Sequence, residues 1–136
     1  MIKNANLGKE LIITVANKIG ILANISKILA DHDLNLEAVA GYAVNNEAKI
    51  MLVANDVLRA KEALDKAGYK NIKENEVVLV SLENKPGALK SLTAKLVDQK
   101  IDIRYTYGTT CAEGCPAILV LATTDNEKAL VSFKAK

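Results

Sequence analysis

Residues 76–108, EVVLVSLENKPGALKSLTAKLVDQKIDIRYTYG, decide the fold, because an earlier stretch of the chain has the same pattern. The earlier copy starts at Glu10 and reads ELIITVANKIGILANISKILADHDLNLEAVAGY. The motif NKIG ends at Gly20 and NKPG ends at Gly87, and equivalent residues stay 67 positions apart from this motif onward. Many pairs in one register indicate a duplication rather than chance similarity.

The first half of each repeat predicts a strand, a turn and a helix. Apolar, β-branched runs at residues 11–16 and 77–82 favour buried strands. Asn-Lys-x-Gly is typical of a turn. Apolar residues three and four apart then predict a helix with one buried stripe. That stripe is expected to contain Leu22, Ile25, Ile28 and Leu29 in the first repeat, and Leu89, Leu92 and Leu96 in the second.

The second half of each repeat predicts a hairpin and a further helix. Alternating runs at residues 34–40 and 101–107 indicate strands with one buried face. Turns are expected at residues 45–46 and 112–114, with returning strands at 48–54 and 117–122. Asp56 is a good N-cap for a helix whose inward residues are Val57, Ala60, Leu64 and Ala67. Gly68 then ends this helix before a short strand at residues 69–73.

The element order predicts an α+β fold with two tandem ferredoxin-like βαββαβ units, at residues 8–74 and 75–136. The second unit ends in a helix at about residues 126–134 and lacks a last strand. Right-handed crossovers place both helices of each unit on one face of an antiparallel sheet. The other face is too apolar to remain in water, so we expect a homodimer or a higher homo-oligomer.

Composition and charge exclude several classes of protein. The net charge is +2, without the concentrated basic face that nucleic acids require. Tyr105 and Tyr107 share a strand face, so RNA binding by stacking of bases on these rings is an alternative. RNA-binding domains of this element order carry aromatic residues on two adjacent strands, however, and the first strand of each repeat has none. No apolar run reaches the ~18 residues of a membrane span. The N-terminus lacks a signal-peptide core, so a cytoplasmic location is expected.

The residues that usually carry catalysis or bind metals are sparse. His32 is the only histidine, and neither Arg59 nor Arg104 lies in a strand–helix loop. No nucleophile–base pair or glycine-rich nucleotide loop is present, which predicts a protein that is not an enzyme and has no metal and no cofactor. In a cytoplasmic protein Cys111 and Cys115 are expected to be thiols, with a disulfide or half of a metal site as alternatives.

The two strand–helix loops are the best candidates for a ligand site. A helix start exposes unpaired N–H groups and the positive end of the dipole, which suits an α-carboxylate. Gly20 and Gly87 let a guest approach the backbone. Asn17 or Asn84 could accept hydrogen bonds from an ammonium group, and Asn35 and Asp102 are further candidates at the next strand. On the residues alone, a glycine in a strand–helix loop is more often only part of a turn than part of a ligand site.

The pattern strand–Asn-Lys-Pro-Gly-x-Leu–helix–Ile-Asp-Ile, with a glycine after the second strand, resembles the ACT domain, a βαββαβ amino-acid-sensing module. The resemblance is greatest to free-standing tandem ACT proteins and covers roughly residues 10–73 and 76–134. It implies amino-acid binding by the first loop and helix start, at an interface between domains or subunits. The positions concerned are Asn17, Ile19, Gly20, Ile21 and Leu22, and Asn84, Pro86, Gly87, Ala88 and Leu89.

The two loops differ in how well they match this family. Both Asn17 and Asn84 stand where the family often has an acidic residue, and Ile19 stands where it usually has proline. The second loop, with Pro86, is therefore expected to be the better site. The resemblance implies a non-catalytic regulatory protein that binds a small amino acid and acts on a partner enzyme. The alternative is a ligand-free interaction module that assembles through its sheet faces.

Overall fold

The computed structural model describes residues 1–110 and 114–134. These residues form six strands and four helices in the order β-α-β-β-α-β-α-β-β-α. The strands are β1 (Ile2–Ala16), β2 (Leu36–Val44), β3 (Glu47–Ala54), β4 (Ile72–Leu82), β5 (Ile103–Thr109) and β6 (Ala117–Thr123). The helices are α1 (Ile21–Asp31), α2 (Val57–Lys66), α3 (Ala88–Asp98) and α4 (Asn126–Lys134).

The chain divides into two units, each with its own core. The repeat-one unit is Lys9–Asn75, and the repeat-two unit combines Met1–Gly8 with Glu76–Lys136. Strands β1 and β4 therefore contribute residues to both units. Within the repeat-one unit β3 pairs antiparallel with both β1 and β2. Within the repeat-two unit β6 pairs antiparallel with both β4 and β5.

In the repeat-one unit both helices pack on one face of the sheet. Leu11 and Ile13 of β1 alternate with residues on the opposite face and face the same side as Ile50 and Leu52 of β3. The helices add four buried residues to this cluster: Ile25 and Leu29 of α1, and Ala60 and Leu64 of α2. Aliphatic side chains supply this core, as the scarcity of aromatic residues predicts.

The repeat-two unit has an equivalent core, built partly from the N-terminus. Val78 and Val80 of β4 pack with Leu92 and Leu96 of α3, with Ala129 and Phe133 of α4, and with Ala5 of β1. Ile2 and Leu7 add partly buried side chains to the same cluster. The backbone N–H of Glu83 donates to the carbonyl of Met1 over 2.8 Å. Residues 1–8 therefore provide this unit with the strand segment that its own repeat lacks.

The predicted α+β class and the two ferredoxin-like units are confirmed. Helix α4 has the predicted bounds, and the Asp56 side chain caps α2 by accepting from the N–H of Arg59 over 3.1 Å. The Asn45–Asn46 turn joins β2 to β3 as expected, with Asn45 at a φ of 57°. In the second predicted turn Ala112 and Glu113 lie outside the described residues, whereas Gly114 has a φ of 94°.

Two strand predictions were wrong in extent. Strand β1 begins at Ile2, not at Leu11, so the polar N-terminus is part of the sheet. Strand β4 runs without a break over Ile72–Leu82, whereas the sequence predicts two separate strands there. The missing last strand of the second unit is replaced by Met1–Gly8 of β1, which belongs to this unit and lies next to β4 in the sheet.

Three predictions of inward side chains were also wrong. Leu22 and Leu89, at the first turns of α1 and α3, are 49% and 54% exposed. Ala67 is exposed because α2 ends at Lys66. The predicted residues of the helix interiors, by contrast, are buried: Ile25, Leu29, Leu92 and Leu96. No helix among the residues described here is long and apolar enough to cross a membrane.

Candidate ligand loops

The first loop, residues 17–20, connects β1 to α1 and leaves the helix start open. Gly20 is the N-cap with a φ of 90°, and no side chain caps the helix. A Cβ added at Gly20 would meet no atom within 4 Å. Ile19 projects fully into solvent, and Leu22 is half exposed. This corner therefore presents first-turn N–H groups without a covering side chain, which is the arrangement that favours an anion.

A hairpin lies beside the first loop and adds an acidic residue to it. The backbone N–H of Asn17 donates to the carbonyl of Asn46 over 2.7 Å, which holds the loop against the β2–β3 turn. Ala16, Val44, Asn45, Asn46 and Glu47 line a cavity of about 590 Å³ there. This volume falls within the range of roughly 300–1,000 Å³ that small-ligand sites usually have. Glu47 is exposed and offers a carboxylate for an ammonium group.

The second loop, residues 84–87, has the same backbone shape but is more enclosed. Gly87 is the N-cap of α3 with a φ of 90°, again without a side-chain cap. The Ala88 N–H already donates to the carbonyl of Lys85 over 3.3 Å, and Ala88 is buried. The Met1 methyl group lies 3.6 Å from where a Cβ of Gly87 would be. The N-terminal residue therefore narrows access to this corner.

The cavity beside the second loop is small and its acidic residue is already paired. Asn84 and Lys85 line a cavity of about 190 Å³ together with Lys3, Glu83, Gly114, Cys115 and Pro116. The Glu83 carboxylate lies 2.9 Å from the Lys85 ammonium and 3.4 Å from the Met1 amino group. The hydrogen bond from Lys85, with a second from the Met1 amino group, lowers the pKa of Glu83. A ligand ammonium would compete with both cations for this carboxylate.

Asn35 and Asp102 are not brought near the loops. The Asn35 N–H donates to the Asn55 side chain over 3.0 Å, just beyond the end of β3, whereas Asn17 contacts the turn at the start of β3. Strand β3 has eight residues. At about 3.3 Å per residue, the two sites are roughly 25 Å apart. Asp102 has the equivalent bond to Thr124 in the repeat-two unit, over 3.1 Å.

The sequence also raised His32 and the two cysteines as candidate functional residues. His32 is exposed at the C-terminal end of α1, where its Nδ1 atom lies 2.8 Å from the Ile28 carbonyl. Cys115 is disulfide-bonded, which corrects the expectation of a thiol at this position. Cys111 lies outside the described residues. Within residues 1–110 and 114–134, no cluster of three or more His, Cys, Asp or Glu side chains could hold a metal ion.

Two ferredoxin-like units, each with an uncapped helix start behind a glycine turn, define a paired regulatory module of the ACT type. A family model described as an ACT domain pair matches residues 8–133. The chain therefore belongs to the ACT domain pair family, whose modules are regulatory amino-acid-binding domains. A comparison with the curated proteins found no match.

Solved structures show the same fold. The protein BT0572 from Bacteroides thetaiotaomicron is 26% identical, with 96% of this chain and 88% of that chain covered and a TM-score of 0.85. The regulatory subunit of aspartate kinase from Thermus thermophilus is 13% identical over 97% of this chain and 95% of that chain, with a TM-score of 0.66. E. coli aspartokinase III, solved in complex with lysine and aspartate, is 17% identical. That comparison covers 97% of this chain and 32% of the kinase chain, with a TM-score of 0.53.

Sequence reasoning identified the two glycine loops but missed the residues that surround them. Glu47 lies 27 residues beyond Gly20, and Met1 lies 86 residues before Gly87. Neither belongs to a motif: the pairing of β1 with β3 places Glu47 opposite Ala16, next to the first loop, and the N-terminal strand brings Met1 to Gly87. A carboxylate next to a predicted hairpin turn was a usable signal for Glu47. No local signal indicated that Met1 would approach Gly87.

Proposed function

We propose that this protein is a non-catalytic regulator that binds a small amino acid at the first loop and at the start of α1. The observation that carries the proposal is the open, uncapped helix start at Gly20, in a loop whose Asn17 N–H donates to the hairpin turn next to Glu47. The helix N-terminus would receive the α-carboxylate, and Glu47 with Asn17 would hold the ammonium group. The second loop is proposed as a weaker site because Met1 and the Lys85 carbonyl occupy its surroundings.

Charge–dipole attraction alone is too weak for such a sensor. A helix N-terminus contributes up to about 2 kcal/mol to anion binding, whereas micromolar affinity needs about 8 kcal/mol. An ammonium–carboxylate contact and burial of the ligand side chain must therefore supply the rest. The exposed Ile19 and Leu22 provide apolar surface at the same corner. A neighbouring subunit would complete the enclosure, which fits the homo-oligomer that the apolar sheet face predicts.

Regulation would follow from differential binding to two states. An amino acid that orders the first loop stabilises whichever assembly or partner complex contains the ordered loop. We propose that the ligand-bound state either changes the activity of a partner enzyme or changes the assembly of the protein itself. The cytoplasmic location and the lack of catalytic activity, metal and cofactor stay predictions from the sequence.

The second candidate function is a ligand-free interaction module. The observation that favours it is the set of large exposed apolar side chains on the repeat-one unit, namely Ile19, Leu22, Val39, Tyr42, Val44 and Leu58. Such a module would bind a protein through these side chains without any small molecule.

The test is a thermal-shift screen of the full chain against each of the twenty standard amino acids at 5 mM, a concentration about tenfold above a Kd near 0.5 mM. The sensor proposal expects one or a few amino acids to raise the melting temperature. The shift should be lost in Gly20→Val and strongly reduced in Glu47→Gln. Gly87→Val and Asn84→Ala test the second loop in the same way.

The matched control is Glu62→Gln, which removes an exposed carboxylate from α2, away from the first loop. This variant should keep the full shift. No shift with any of the twenty amino acids would reject the sensor proposal and favour the interaction module. A shift that survives Gly20→Val but disappears in Gly87→Val would move the site to the second loop.

A further inference from the structure

The repeat-two unit has a cavity that is lined by three lysines. Residues of β1, α3 and α4 surround it, and its volume is about 490 Å³. Small-ligand sites usually have volumes of roughly 300–1,000 Å³. No described residue that lines the cavity is acidic, and the polar ones are Lys3, Lys95, Lys134, Ser91 and Asn4. The cavity shares Lys3 with the smaller cavity beside the second loop, but none of the loop residues 84–87 lines it.

The positive charge of this cavity is a local feature of the chain. The whole chain has a net charge of only +2, because 18 basic residues are nearly balanced by 16 acidic ones. Within residues 1–110 and 114–134, neither Lys3 nor Lys134 forms an ion pair. Lys95 is partly buried. A cleft lined by charges of one sign attracts counter-ions, so this cavity favours an anion.

The helices of the two units can be aligned, so the same corner can be compared in both. Helix α3 follows α1 at the offset of 67 positions that the two loops define. The capping residues Asp56 and Asp125, each of which accepts from the N–H three residues later, align α4 with α2 at an offset of 69. The residues that correspond to Ser91, Lys95 and Lys134 are then Asn24, Ile28 and Asp65.

In the repeat-one unit this corner holds a tyrosine and an acidic residue. The Asn24 amide donates to the Tyr69 hydroxyl, and Ile28 packs against the core. The Asp65 carboxylate lies 3.3 Å from the Lys70 ammonium group. The repeat-two unit therefore has lysines at two positions where the repeat-one unit has an apolar and an acidic residue. Because both units share one fold, the cationic cavity follows from the residues of the second repeat.

We propose that this cavity is a binding site for a small organic phosphate. A phosphate monoester carries a charge of about −1.5 to −2 at pH 7 and has three strong acceptor oxygens. The three lysine ammonium groups and the Ser91 hydroxyl can donate to these oxygens, and lysine is a common phosphate ligand. The proposal concerns the repeat-two unit alone and does not depend on amino-acid binding at the first loop. A regulator with both sites would respond to two metabolites, an amino acid and a phosphorylated compound.

The charge and the size of the cavity favour this class of anion over others. A single carboxylate would balance only one of the three lysine charges, whereas a phosphate monoester balances about two. The cavity is also larger than a phosphate group alone requires, and Ile2 and Phe133 give it an apolar wall for an organic part. A nucleic acid is less suited, because it needs basic residues along an extended surface, whereas these lysines share one cavity.

The first experiment is a titration of the full chain followed by the NMR shifts of its backbone amides. The probes are inorganic phosphate, glucose 6-phosphate, AMP and succinate, each up to about 10 mM, which is about tenfold above a millimolar Kd. At least one of the two organic phosphates should give saturable shifts centred on residues 1–5, 91–95 and 133–134. Inorganic phosphate should bind more weakly because it lacks the organic part, and succinate should bind more weakly than the organic phosphates.

Three outcomes of this titration would overturn the proposal. The first is the lack of a saturable shift with either organic phosphate. The second is binding of succinate as tight as that of the organic phosphates, which would mean that the cavity does not select phosphate. The third is a set of shifts centred on residues 17–22 or 84–89, which would place the anion at a helix start and not in this cavity.

The second experiment measures the same Kd in lysine variants by calorimetric titration. The double variant Lys95→Gln/Lys134→Gln removes two cations from the cavity and should raise the Kd at least about tenfold, since hydrogen bonds to charged groups are the strong ones. The matched control is Lys90→Gln/Lys128→Gln, which removes two exposed lysines from the same helices but none from the cavity. Thermal unfolding checks that each variant is folded. Equal weakening by the two double variants would show only diffuse attraction and would overturn the site.

Single substitutions keep the test decisive if the double variant unfolds. Lys134→Asp places the acidic residue of the repeat-one corner into this cavity and should raise the Kd more than Lys134→Gln does. Ser91→Ala removes the hydroxyl donor without changing the charge and should raise the Kd less than either. An unchanged Kd in Lys134→Asp would overturn the site.

The amino-acid screen keeps the two proposals separate. Lys134→Asp carries its substitution in the repeat-two unit, outside the loop residues 17–20, so any thermal shift with an amino acid at the first loop should persist in it. Gly20→Val should in turn keep the wild-type Kd for the organic phosphate. Loss of phosphate binding in Lys134→Asp supports the cavity whether or not any amino acid raises the melting temperature.

Discussion

At the scale of single residues, Gly20 and Gly87 have the same left-handed backbone, with a φ of 90°. An L-residue at such an angle costs about 1–2 kcal/mol. We predict that Gly20→Ala and Gly87→Ala each lower the free energy of unfolding by about 1 kcal/mol or more, measured by urea denaturation. The control is Gly41→Ala, since Gly41 does not have a positive φ and its added Cβ would make only ordinary contacts. A cost at Gly41 equal to that at Gly20 would contradict the backbone explanation.

The ionisation of Glu83 depends on its contacts in the folded chain. The hydrogen bond from Lys85 and the contact with the Met1 amino group hold the pKa of Glu83 below its ordinary value of 4.5. A carboxyl with a lowered pKa stabilises the folded state above its unfolded pKa, and this stabilisation is lost as the pH falls through the folded pKa. We predict that wild type melts higher than Glu83→Gln at pH 7 and that the gap closes below pH 4.5.

The gap is expected to be small, because exposed ion pairs contribute little. Differential scanning calorimetry between pH 7 and pH 3 would measure it, the lower pH lying well below the ordinary pKa of a glutamate. The control is Glu62→Gln, since Glu62 has no ion pair among the described residues. A gap that grows on acidification would have the wrong sign and would reject this role for Glu83.

The sequence predicts residue roles best where the role is local. The two glycines, the Asp56 cap and the His32 surroundings follow from neighbouring residues alone. The residues that lie next to the two loops cannot be predicted in this way, because Glu47 and Met1 come to the loops through strand pairing. The ranking of the two loops depends on such neighbours. Pro86 favours the second loop by sequence pattern, but Met1 lies close to Gly87 and the Ala88 N–H is already bonded to Lys85, so the first loop is the more open one.

At the scale of elements, the Asp56 cap fixes where α2 begins. Its side chain accepts from the Arg59 N–H over 3.1 Å, which satisfies one of the free donors of the first turn. We predict that Asp56→Ala lowers the free energy of unfolding by about 1 kcal/mol, measured by urea denaturation. Asp56→Asn is the control, because asparagine caps helices about as well as aspartate. A loss in Asp56→Asn as large as that in Asp56→Ala would mean that the charge, not the cap, matters.

The helices and hairpins were predictable as elements, whereas the ends of β1 and β4 were not. Helices and hairpins have strong periodic and turn signals within a few residues. The N-terminal part of β1 alternates weakly, since only Ala5 is buried and Ile2 and Leu7 are partly exposed among asparagines and lysines. The residues that join the two predicted strands of β4 include polar Glu74 and Asn75, which hide its continuity.

At the scale of the whole molecule, residues 1–8 complete the repeat-two unit although they come before the first repeat. Ala5 is buried in the core of that unit, whereas its neighbour Asn6 is exposed. We predict that Ala5→Glu lowers the free energy of unfolding by about 2–4 kcal/mol, because it buries a charge without a partner. Asn6→Glu should have almost no effect. Equal effects at the two positions in urea denaturation would show that this segment does not pack as described.

The strand segment at residues 1–8 also has a consequence for synthesis on the ribosome. Residues 9–75 are contiguous, so the repeat-one unit can fold as soon as they have emerged. Residues 1–8 precede that unit in the chain but pack in the repeat-two unit, so they cannot be buried there before β4 has been made. During synthesis this segment therefore stays accessible to chaperones and proteases for longer than its position in the chain suggests.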